Sequence, residues 1–585
     1  MHKNTFYSLG APLLLWVIIP ASALSVAAGN WGAHFLLHSF MAIMAYMLLR
    51  SIALPFLKPI TISAVTLYYS VLYLLATYAV VTGGLVDLRF MLDSFSDIGS
   101  VAIALFSPLQ LLMGLIGFIV LLLVQATTTI KTVKLYWPQQ WVQPLLFMTI
   151  GFVANLQLLP HQQFLIPLHD TALHAAPNTS VELGTMHAAP TMKLLPPIAE
   201  TIDGISTDEN IMILQLESTN ALALQGKAII KEQAYNNNYM PVWTNLAKHG
   251  VLFPFFWGNS IQTNRGQANI LCSTVNNIAK AFSYTTDLLP SNCLPKLMSD
   301  AGFATHFFRA DKLEFANTKN FMKEIGFQHI HYKDIMEEGD LRYRWGYDDC
   351  TFYGRIFDYL DNKPHDPLFA YIEVSANHMN FGIKEEYKNL APFPDEQNYL
   401  EKYLNSAVVQ DHCLGEFSKR FKQYADNTHL IIVGDHSWPI GIHDNTYNER
   451  GATTDNFLVP LLYIPPTHKT GSLRARVIEH IRPSQVDIRG TVLDLVSDNE
   501  YQNSFAPLLT GEPLDHFEDC QVMTQPYGGT EVAIVHGNLK YTHAFTTGIT
   551  TTTNLATDLL ELAPITTKQQ TYDEFLDEYM CQRYR

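Results

Sequence analysis

Five long apolar runs fill the first 160 residues of this 585-residue chain, and no other feature constrains its fold as strongly. A helix that crosses the hydrocarbon core of a membrane needs about 20 apolar residues. We therefore predict an α-helical membrane bundle of five spans over residues 1–160. A cleaved signal peptide is the alternative for the first run, but its length and the runs directly after it favour a span. The predicted spans are Tyr7–Gly29, Ala33–Phe56, Ile62–Gly83, Ala102–Val124 and Trp141–Leu159.

Basic residues between these runs predict the orientation, because Lys and Arg concentrate in cytoplasmic loops. The alternate loops hold only one basic residue, Arg89. The amino terminus is therefore predicted to be cytoplasmic and everything after Pro160 extracytoplasmic. In a bacterium this describes a multi-pass protein of the cytoplasmic (inner) membrane, whose following domain lies in the periplasm or outside the cell. The basic residues on the amino-terminal side are Lys3, Arg50, Lys58, Lys131 and Lys134.

Beyond the apolar runs the pattern changes to that of a globular domain. Residues 161–208 are rich in Pro, Ala, His and Thr, which predicts a linker. From 209 to 585, apolar β-rich runs alternate with amphipathic segments such as Leu294–Ala301 and Phe315–Ile325. This alternation predicts an α/β domain with a mostly parallel central sheet covered by helices. The predicted strands are Asn210–Leu216, Thr305–Phe308, Leu368–Val374, Leu430–Val433 and Pro460–Ile464.

Polar, titratable residues follow four of the predicted strands. The carboxyl ends of parallel strands meet at one edge of a sheet, and ligands bind there. Capping explains any one of these residues, but four strand ends together favour a site. The residues are Glu217 after the first strand, Arg309 and Asp311 after the second, Asn377 and His378 after the third, and Asp435 and His436 after the fourth.

Three of these residues predict a metal site. Glu217, Asp435 and His436 offer carboxylate and imidazole ligands, which suit one divalent ion such as Mn²⁺, Zn²⁺ or Mg²⁺. Three protein ligands leave a position for a nucleophile or a substrate. A bound cation lowers the pKa of a coordinated hydroxyl and so makes a weak alcohol nucleophilic.

The candidate hydroxyl belongs to Thr263. It follows the β-rich run VLFPFF and precedes a helix predicted from about Gln267. At the amino terminus of a helix, backbone N–H groups favour an anionic phosphate, and Arg265 would add guanidinium donors. Taken alone, Thr263 fits an ordinary helix N-cap. The acidic and histidine residues favour the catalytic interpretation instead.

Two further histidines are candidates for substrate binding. His378 is predicted to donate to a phosphate oxygen or to a leaving alcohol. His443 lies on the loop seven residues after His436, where either a substrate contact or an ordinary surface histidine fits the sequence.

Net charge and cysteine content bear on the binding partners and on the cellular compartment of the domain. The net charge of −16, without any basic run, argues against nucleic-acid binding. All six cysteines follow the predicted spans, and none forms a CxxC pair. Disulfides in an exported domain and buried free thiols both remain open, and six cysteines allow fifteen pairings.

The ordered motifs resemble the lipoteichoic acid synthase branch of the sulfatase and alkaline phosphatase superfamily. The resemblance covers about residues 210–510, and five spans before the domain also match that family's layout. The matching stretches are LQLEST, QTNRGQANILCS, NCLPKLMSDAGF, FFRAD, VSANH, GDHSWPIGIH, VPLLYIPP and SQVDIRGTVLDLV.

The resemblance implies a function and a set of roles. It implies transfer of glycerol phosphate, or a similar phospho-alcohol, from a phospholipid donor to a glycan or lipid acceptor through a phosphothreonine intermediate. Transfer of phosphoethanolamine and hydrolysis of a phosphodiester are the alternative reactions. A membrane scaffold without catalytic activity is the alternative that is not an enzyme. The implied metal ligands are Glu217, Thr263, Asp435 and His436, and the implied substrate-site residues are Asp311, His378 and His443.

Two departures from the family pattern bear on the substrate. The segment Phe315–Lys319 lacks the Trp and Arg that follow this position in synthases of glycerol phosphate polymers, and Arg309 stands where those synthases tend to carry His. Both put the glycerol phosphate contacts in doubt. Sulfatases need Cys or Ser in a C/S-x-P-x-R motif. This chain has Thr263–Asn–Arg265 at that position, so hydrolysis of sulfate esters is not expected.

Overall fold

The computed structural model describes residues 204–581, and the five predicted spans and nearly all of the predicted linker lie outside this range. Within the described residues, no helix is both long and apolar enough to cross a membrane. All of them belong to one compact unit. The description has gaps at 226–227, 231–232, 236, 276–282, 284–291, 343–344, 364–366, 380, 439, 441, 444–450, 470–474, 498–500, 502, 526–530 and 545–546.

An eight-stranded sheet forms the centre of the domain, in the order β10-β4-β9-β8-β1-β7-β5-β6. Seven of these strands run in the same direction, and only β9 is antiparallel to its neighbours. The predicted mostly parallel sheet is therefore confirmed. The strands are β1 (Asn210–Leu216), β4 (Val251–Trp257), β5 (Ala304–Arg309), β6 (His329–His331), β7 (Leu368–Glu373), β8 (Thr428–Gly434), β9 (Leu458–Ile464) and β10 (Arg476–Val477). A separate hairpin pairs β2 (Ala228–Ile230) with β3 (Gln233–Tyr235).

The continuous apolar runs of the sequence are the strands at the middle of this sheet. Every residue of β7 and β8 is buried, so neither strand shows an alternation of polar and apolar residues. All five predicted strands are present, with ends that differ by at most two residues from the prediction. The pairing of Leu216 with Gly434 brings the carboxyl ends of β1 and β8 side by side.

Helices cover the sheet. The predicted amphipathic segment Leu294–Ala301 is α4, and Phe315–Ile325 is a 3-10 turn followed by α5. The helices are α1 (Ala221–Leu224), α2 (Pro241–Leu246), α3 (Thr263–Cys272), α4 (Leu294–Asp300), α5 (Thr318–Glu324), α6 (Asp349–Asp361), α7 (Tyr399–Phe421), α8 (Thr454–Phe457), α9 (Ile488–Leu495), α10 (Ala506–Thr510) and α11 (Tyr572–Tyr579).

A second sheet, which the sequence analysis did not anticipate, follows the first. Its five antiparallel strands lie in chain order, and α11 packs on it through the fully buried Phe575. Asn259, in the loop before α3, donates through Nδ2 to the carbonyl of Val522 at 2.9 Å and accepts from the N–H of Thr524. The second sheet therefore holds the loop that leads to Thr263. Its strands are β11 (Cys520–Gln525), β12 (Glu531–His536), β13 (Leu539–Ala544), β14 (Ile549–Asn554) and β15 (Ile565–Gln569).

All six cysteines form disulfides, so the alternative of free thiols is wrong. Cys272–Cys293 joins the end of α3 to the start of α4, and Cys350–Cys413 joins α6 to α7. Cys520–Cys581 ties β11 to the residue that ends the described chain.

Candidate active site

Glu217, Asp435 and His436 meet at the carboxyl edge of the central sheet. Glu217 directly follows β1, and the other two follow β8, which pairs with β1 along its whole length. All three side chains are buried, and one ligand atom of each lies within 4.8 Å of the others. His436 Nε2 is 3.5 Å from Glu217 Oε1 and 3.7 Å from Asp435 Oδ2.

The orientation of His436 favours a cation between these atoms. Its Nδ1 lies 3.0 Å from the carbonyl oxygen of Ser437, which can only accept, so Nδ1 carries the hydrogen. In the neutral ring, the Nε2 lone pair then faces two carboxylates. Three buried acceptors turned toward one another need a positive charge, and their chemistry fits a divalent metal ion.

Without a cation, the charged form of His436 would supply the positive charge that this group needs. Burial tends to raise the pKa of Glu217, but the neighbouring His378 and His436 outweigh it and hold the pKa below its usual range. Burial, together with the charge of Glu217, raises the pKa of Asp435 well above its usual range. Two carboxylates this close to each other therefore cannot both ionise easily without a cation.

Thr263 lies beside this group. Helix α3 begins at Thr263 itself, four residues earlier than predicted, and the half-buried hydroxyl donates to Glu217 Oε2 at 3.3 Å. Gln262, directly before it, has a φ of 90°, a strained value for a residue with a Cβ. Arg265 is buried in the same turn, where its Nε donates to Gln262 Oε1 at 3.0 Å.

Gly266 allows α3 to approach the end of β8. A Cβ on Gly266 would lie 2.2 Å from the carbonyl oxygen of Asp435 and 2.9 Å from its carbonyl carbon. No other residue fits at that separation, so the glycine sets the distance between the helix of Thr263 and the strand of Asp435.

Two glutamines complete the site, and the sequence analysis missed both. Gln215 donates to Asp435 Oδ2 at 3.2 Å, and Gln485 donates to the carbonyls of Gly434 and Asp435 at 2.8 and 2.6 Å. Gln215 could have been predicted from the sequence, because it is the one polar residue inside the apolar run of β1. For Gln485, the only indication in the sequence was its place in SQVDIRGTVLDLV, one of the stretches that resemble lipoteichoic acid synthases.

Asp311 lies at the same edge, after β5. Its Oδ2 is 3.5 Å from Arg309, whose guanidinium also lies 3.5 Å from Glu373 Oε2. Burial raises the pKa of Asp311, although Arg309 opposes the shift. Burial likewise raises the pKa of Glu373 to about 7, again against Arg309. One buried guanidinium thus serves two buried carboxyl groups.

His378 lies where the loop after β7 turns over the site. Its ring packs at 4.3 Å from that of Trp345. Burial lowers the pKa of His378, although the carboxylates of Glu217 and Asp311 oppose the shift. Asp349 fixes this loop, because its carboxyl group accepts hydrogen bonds from the backbone N–H groups of Ser375 and Ala376 at 3.1 Å.

His443 has different neighbours. Its Nε2 lies 2.9 Å from the carbonyl oxygen of Leu560 and 3.9 Å from Asp455 Oδ1. Among the described residues, no hydrogen bond or ion pair joins it to the other predicted site residues. The structure therefore brings Glu217, Thr263, Asp435 and His436 together, places Arg265, Asp311 and His378 around them, and links His443 to the second sheet.

Comparisons with known proteins concern the family of this domain. Residues 209–498 match the sulfatase family. Over 318 residues the chain is 23% identical to lipoteichoic acid synthase 1 of Bacillus subtilis (strain 168), a match that covers 51% of this chain and 48% of that protein. The chain thus spans about half the length of this relative.

Two solved structures are also similar. A protein of the alkaline phosphatase superfamily from Vibrio parahaemolyticus has a TM-score of 0.49 and 18% identity, covering 64% of this chain and 86% of that one. The lipoteichoic acid synthase LtaP from Listeria monocytogenes has a TM-score of 0.48 and 16% identity, covering 67% of this chain and 93% of that one.

The sequence comparisons identify an enzyme of the sulfatase and alkaline phosphatase superfamily, whose members are metal-dependent. Residues 209–498 match the sulfatase family, and the resemblance to its lipoteichoic acid synthase-like branch is confirmed.

Proposed function

We propose that this chain is a membrane-anchored phospho-group transferase with Thr263 as its nucleophile. It moves a phospho-alcohol head group, glycerol phosphate or a similar one, from a phospholipid to a glycan or lipid acceptor. Residues 1–160 are the five-span anchor, 161–208 the linker and 209–585 the extracytoplasmic catalytic domain.

One observation carries this proposal. The Thr263 hydroxyl lies at the amino terminus of a ten-residue helix and donates to Glu217, which belongs to the buried donor set. Backbone N–H groups at that helix end favour a phosphoryl group in front of the hydroxyl. A nucleophile, an anion-binding helix end and a candidate metal site thus coincide.

In the first step, Thr263 Oγ1 attacks the phosphorus of the donor. The bond from phosphorus to Oγ1 forms and the bond to diacylglycerol breaks. The hydroxyl hydrogen of Thr263 already lies toward Glu217 Oε2, which takes this proton as the bond to phosphorus forms. His378 is the candidate donor of a proton to the departing alcohol.

In the second step, the acceptor hydroxyl gives its proton to His378 and attacks the phosphothreonine. The bond from phosphorus to Oγ1 breaks, and Thr263 regains its proton from Glu217. Dividing the transfer in two gives the lipid time to leave. Arg265 stabilises charge on the phosphoryl oxygens. A divalent ion held by Glu217, Thr263, Asp435 and His436 would supply Lewis-acid stabilisation of the same oxygens and favour the ionised hydroxyl.

Three disulfides support the extracytoplasmic location. Disulfides persist in the periplasm and outside the cell and are rare in the reducing cytoplasm. All six cysteines of the chain take part in them. The basic residues between the apolar runs predict the same side.

The test measures turnover by the full-length protein in mixed micelles of labelled phosphatidylglycerol or phosphatidylethanolamine. Thr263→Ala should abolish release of diacylglycerol, Thr263→Ser should retain part of it, and mass spectrometry should find a phospho-adduct on the Thr263 peptide. Thr244→Ala, the same change at an exposed threonine of α2, is the control. Wild-type turnover in Thr263→Ala would place the nucleophile elsewhere.

The same assay separates the candidate reactions. Turnover of phosphatidylethanolamine alone would identify a phosphoethanolamine transferase. Release of the free phospho-alcohol into water, with acceptor present, would identify a phosphodiesterase.

A further inference from the structure

The segment that begins at Ala452 is held by charged residues of the second sheet. Glu531 of β12 accepts from the N–H of Ala452 at 2.7 Å. The fully buried Lys540 of β13 donates to the carbonyl of Ala452 and pairs with Glu561 at 2.7 Å, and Glu561 also accepts from the N–H of Thr454. These contacts fix the start of α8 relative to the second sheet.

Asp455, in α8, is the buried carboxylate of this segment. Its backbone carbonyl accepts from Asn220 at 2.7 Å and from Ser437, next to His436, at 2.9 Å. Its Oδ1 accepts from the Thr453 hydroxyl and lies 3.9 Å from His443 Nε2. Its Oδ2 is buried without a hydrogen-bond partner among the described residues. A buried carboxylate with an unused oxygen is costly unless a charged or polar group faces it.

His443 lies near the other oxygen of this carboxylate, Oδ1. The carbonyl oxygen of Leu560 can only accept, so the nitrogen 2.9 Å from it, Nε2, carries a hydrogen. That N–H lies on the side of Leu560 and Asp455. In the neutral ring, Nδ1 therefore keeps its lone pair, and the side chain remains 23% exposed. This ring has one nitrogen fixed by the protein and one, Nδ1, that makes no hydrogen bond to the described residues.

We propose that Asp455 and the Leu560 carbonyl together position His443 for the substrate. They hold the ring in its Nε2–H tautomer, so that Nδ1 can accept a hydrogen bond from a substrate hydroxyl. Asp455 is a positioning residue in this arrangement, because it acts only through His443. The inference rests on the proposed function and on the substrate-site role that the resemblance to lipoteichoic acid synthases implies for His443.

The proposal also gives the second sheet a role in the site. Leu560, Lys540 and Glu561 all follow residue 498, where the match to the sulfatase family ends. The substrate side of the site is thus completed by a part of the chain outside the family domain.

A double-mutant cycle in the full-length protein tests this idea, with turnover of labelled phosphatidylglycerol and phosphatidylethanolamine as the readout. Asp455→Asn should lower kcat/KM by about 10–100-fold, the range seen when a carboxylate that orients a histidine is removed. In the background of His443→Ala, the same change should have less than about a twofold effect, because its only target is gone. An equal loss in both backgrounds would overturn the proposal.

A second readout does not depend on turnover. In ¹⁵N-histidine-labelled protein, the signal that disappears in His443→Ala should show the Nε2–H tautomer, and Asp455→Asn should convert it to a mixture. An unchanged signal in Asp455→Asn would contradict the positioning role. Asp411→Asn is the matched control, because this buried carboxylate caps α2 through Val242 and Trp243 at 2.8 Å and should leave the His443 signal unchanged.

The two proposals fail in different ways. If Thr263→Ala retains turnover, the proposed function is wrong. If Thr263→Ala is inactive while His443→Ala and Asp455→Asn turn over at the wild-type rate, the proposed function stands and the positioning of His443 for substrate is wrong.

Discussion

Gly266→Ala is expected to cost far more activity than stability. Gly266 lies in the first turn of α3, three residues after Thr263, and faces the end of β8. The new Cβ would lie 2.2 Å from the carbonyl oxygen of Asp435. Carbon and oxygen atoms that are not bonded keep about 3.3 Å apart, so α3 must move by about 1 Å away from β8.

The two consequences of that movement differ in size. Overpacking costs about 1–3 kcal/mol, and replacing a helical glycine by alanine returns up to about 1 kcal/mol, so the free energy of unfolding falls by about 0–3 kcal/mol. The domain stays folded. Thr263, however, loses its 3.3 Å contact with Glu217, and a misplacement of about 1 Å can slow a reaction about 100-fold.

The assay compares turnover of the labelled phospholipid donor with the melting temperature of the same samples. Gly354→Ala is the matched control, because Gly354 is also helical and its added Cβ would meet nothing within 4 Å. That variant should keep the wild-type rate and an equal or higher melting temperature. Wild-type turnover in Gly266→Ala would refute the idea that the contact between α3 and β8 sets the position of Thr263.

Three further predictions concern the metal, the pH and the membrane topology. Asp435→Asn should weaken Mn²⁺ or Zn²⁺ binding at least about tenfold in isothermal titration without unfolding the domain, and wild-type affinity would exclude Asp435 as a ligand. Burial, followed by repulsion from His329 and His331, lowers the pKa of His306 to about 3. The unfolded chain therefore binds more protons between about pH 6.5 and pH 3, so this stabilisation is complete above pH 6.5 and is lost as the pH falls. The melting temperature of the wild-type protein should therefore fall between pH 7 and pH 5. In the His306→Phe variant this fall should be smaller, and an equal fall in both proteins would show that other groups cause it. A reporter active only outside the cytoplasm should be active when fused within the predicted linker, and activity of a cytoplasmic reporter there would overturn the topology.

The sheet and the candidate metal ligands were predictable because both depend on short-range patterns. A strand buried on both faces reads as an unbroken apolar run, and the residue that ends it lies at a defined edge. Glu217, Asp435 and His436 were found in this way. The reversed direction of β9 could not be found, because Leu458–Ile464 is as apolar as the strands that run the other way and periodicity carries no strand direction.

The remaining features depend on contacts between distant parts of the chain. Gln485 reaches the backbone of Asp435 across 50 residues, and His443 meets Leu560 across 117. Neither contact leaves a local signal. The second sheet was missed for a related reason: β14 and β15 consist mainly of Thr, Gln and Lys, and they hold together through pairing with neighbours rather than through an apolar pattern of their own.

The disulfide pattern has a consequence for biogenesis. Of the fifteen ways to join six cysteines, the protein uses the one in which each cysteine pairs with the next along the chain: Cys272 with Cys293, Cys350 with Cys413 and Cys520 with Cys581. For a domain threaded through a translocon with its amino-terminal end first, each pair is complete before the next pair emerges. A thiol oxidase that acts on cysteines in order of appearance then produces the native bridges directly, and maturation requires no disulfide isomerase.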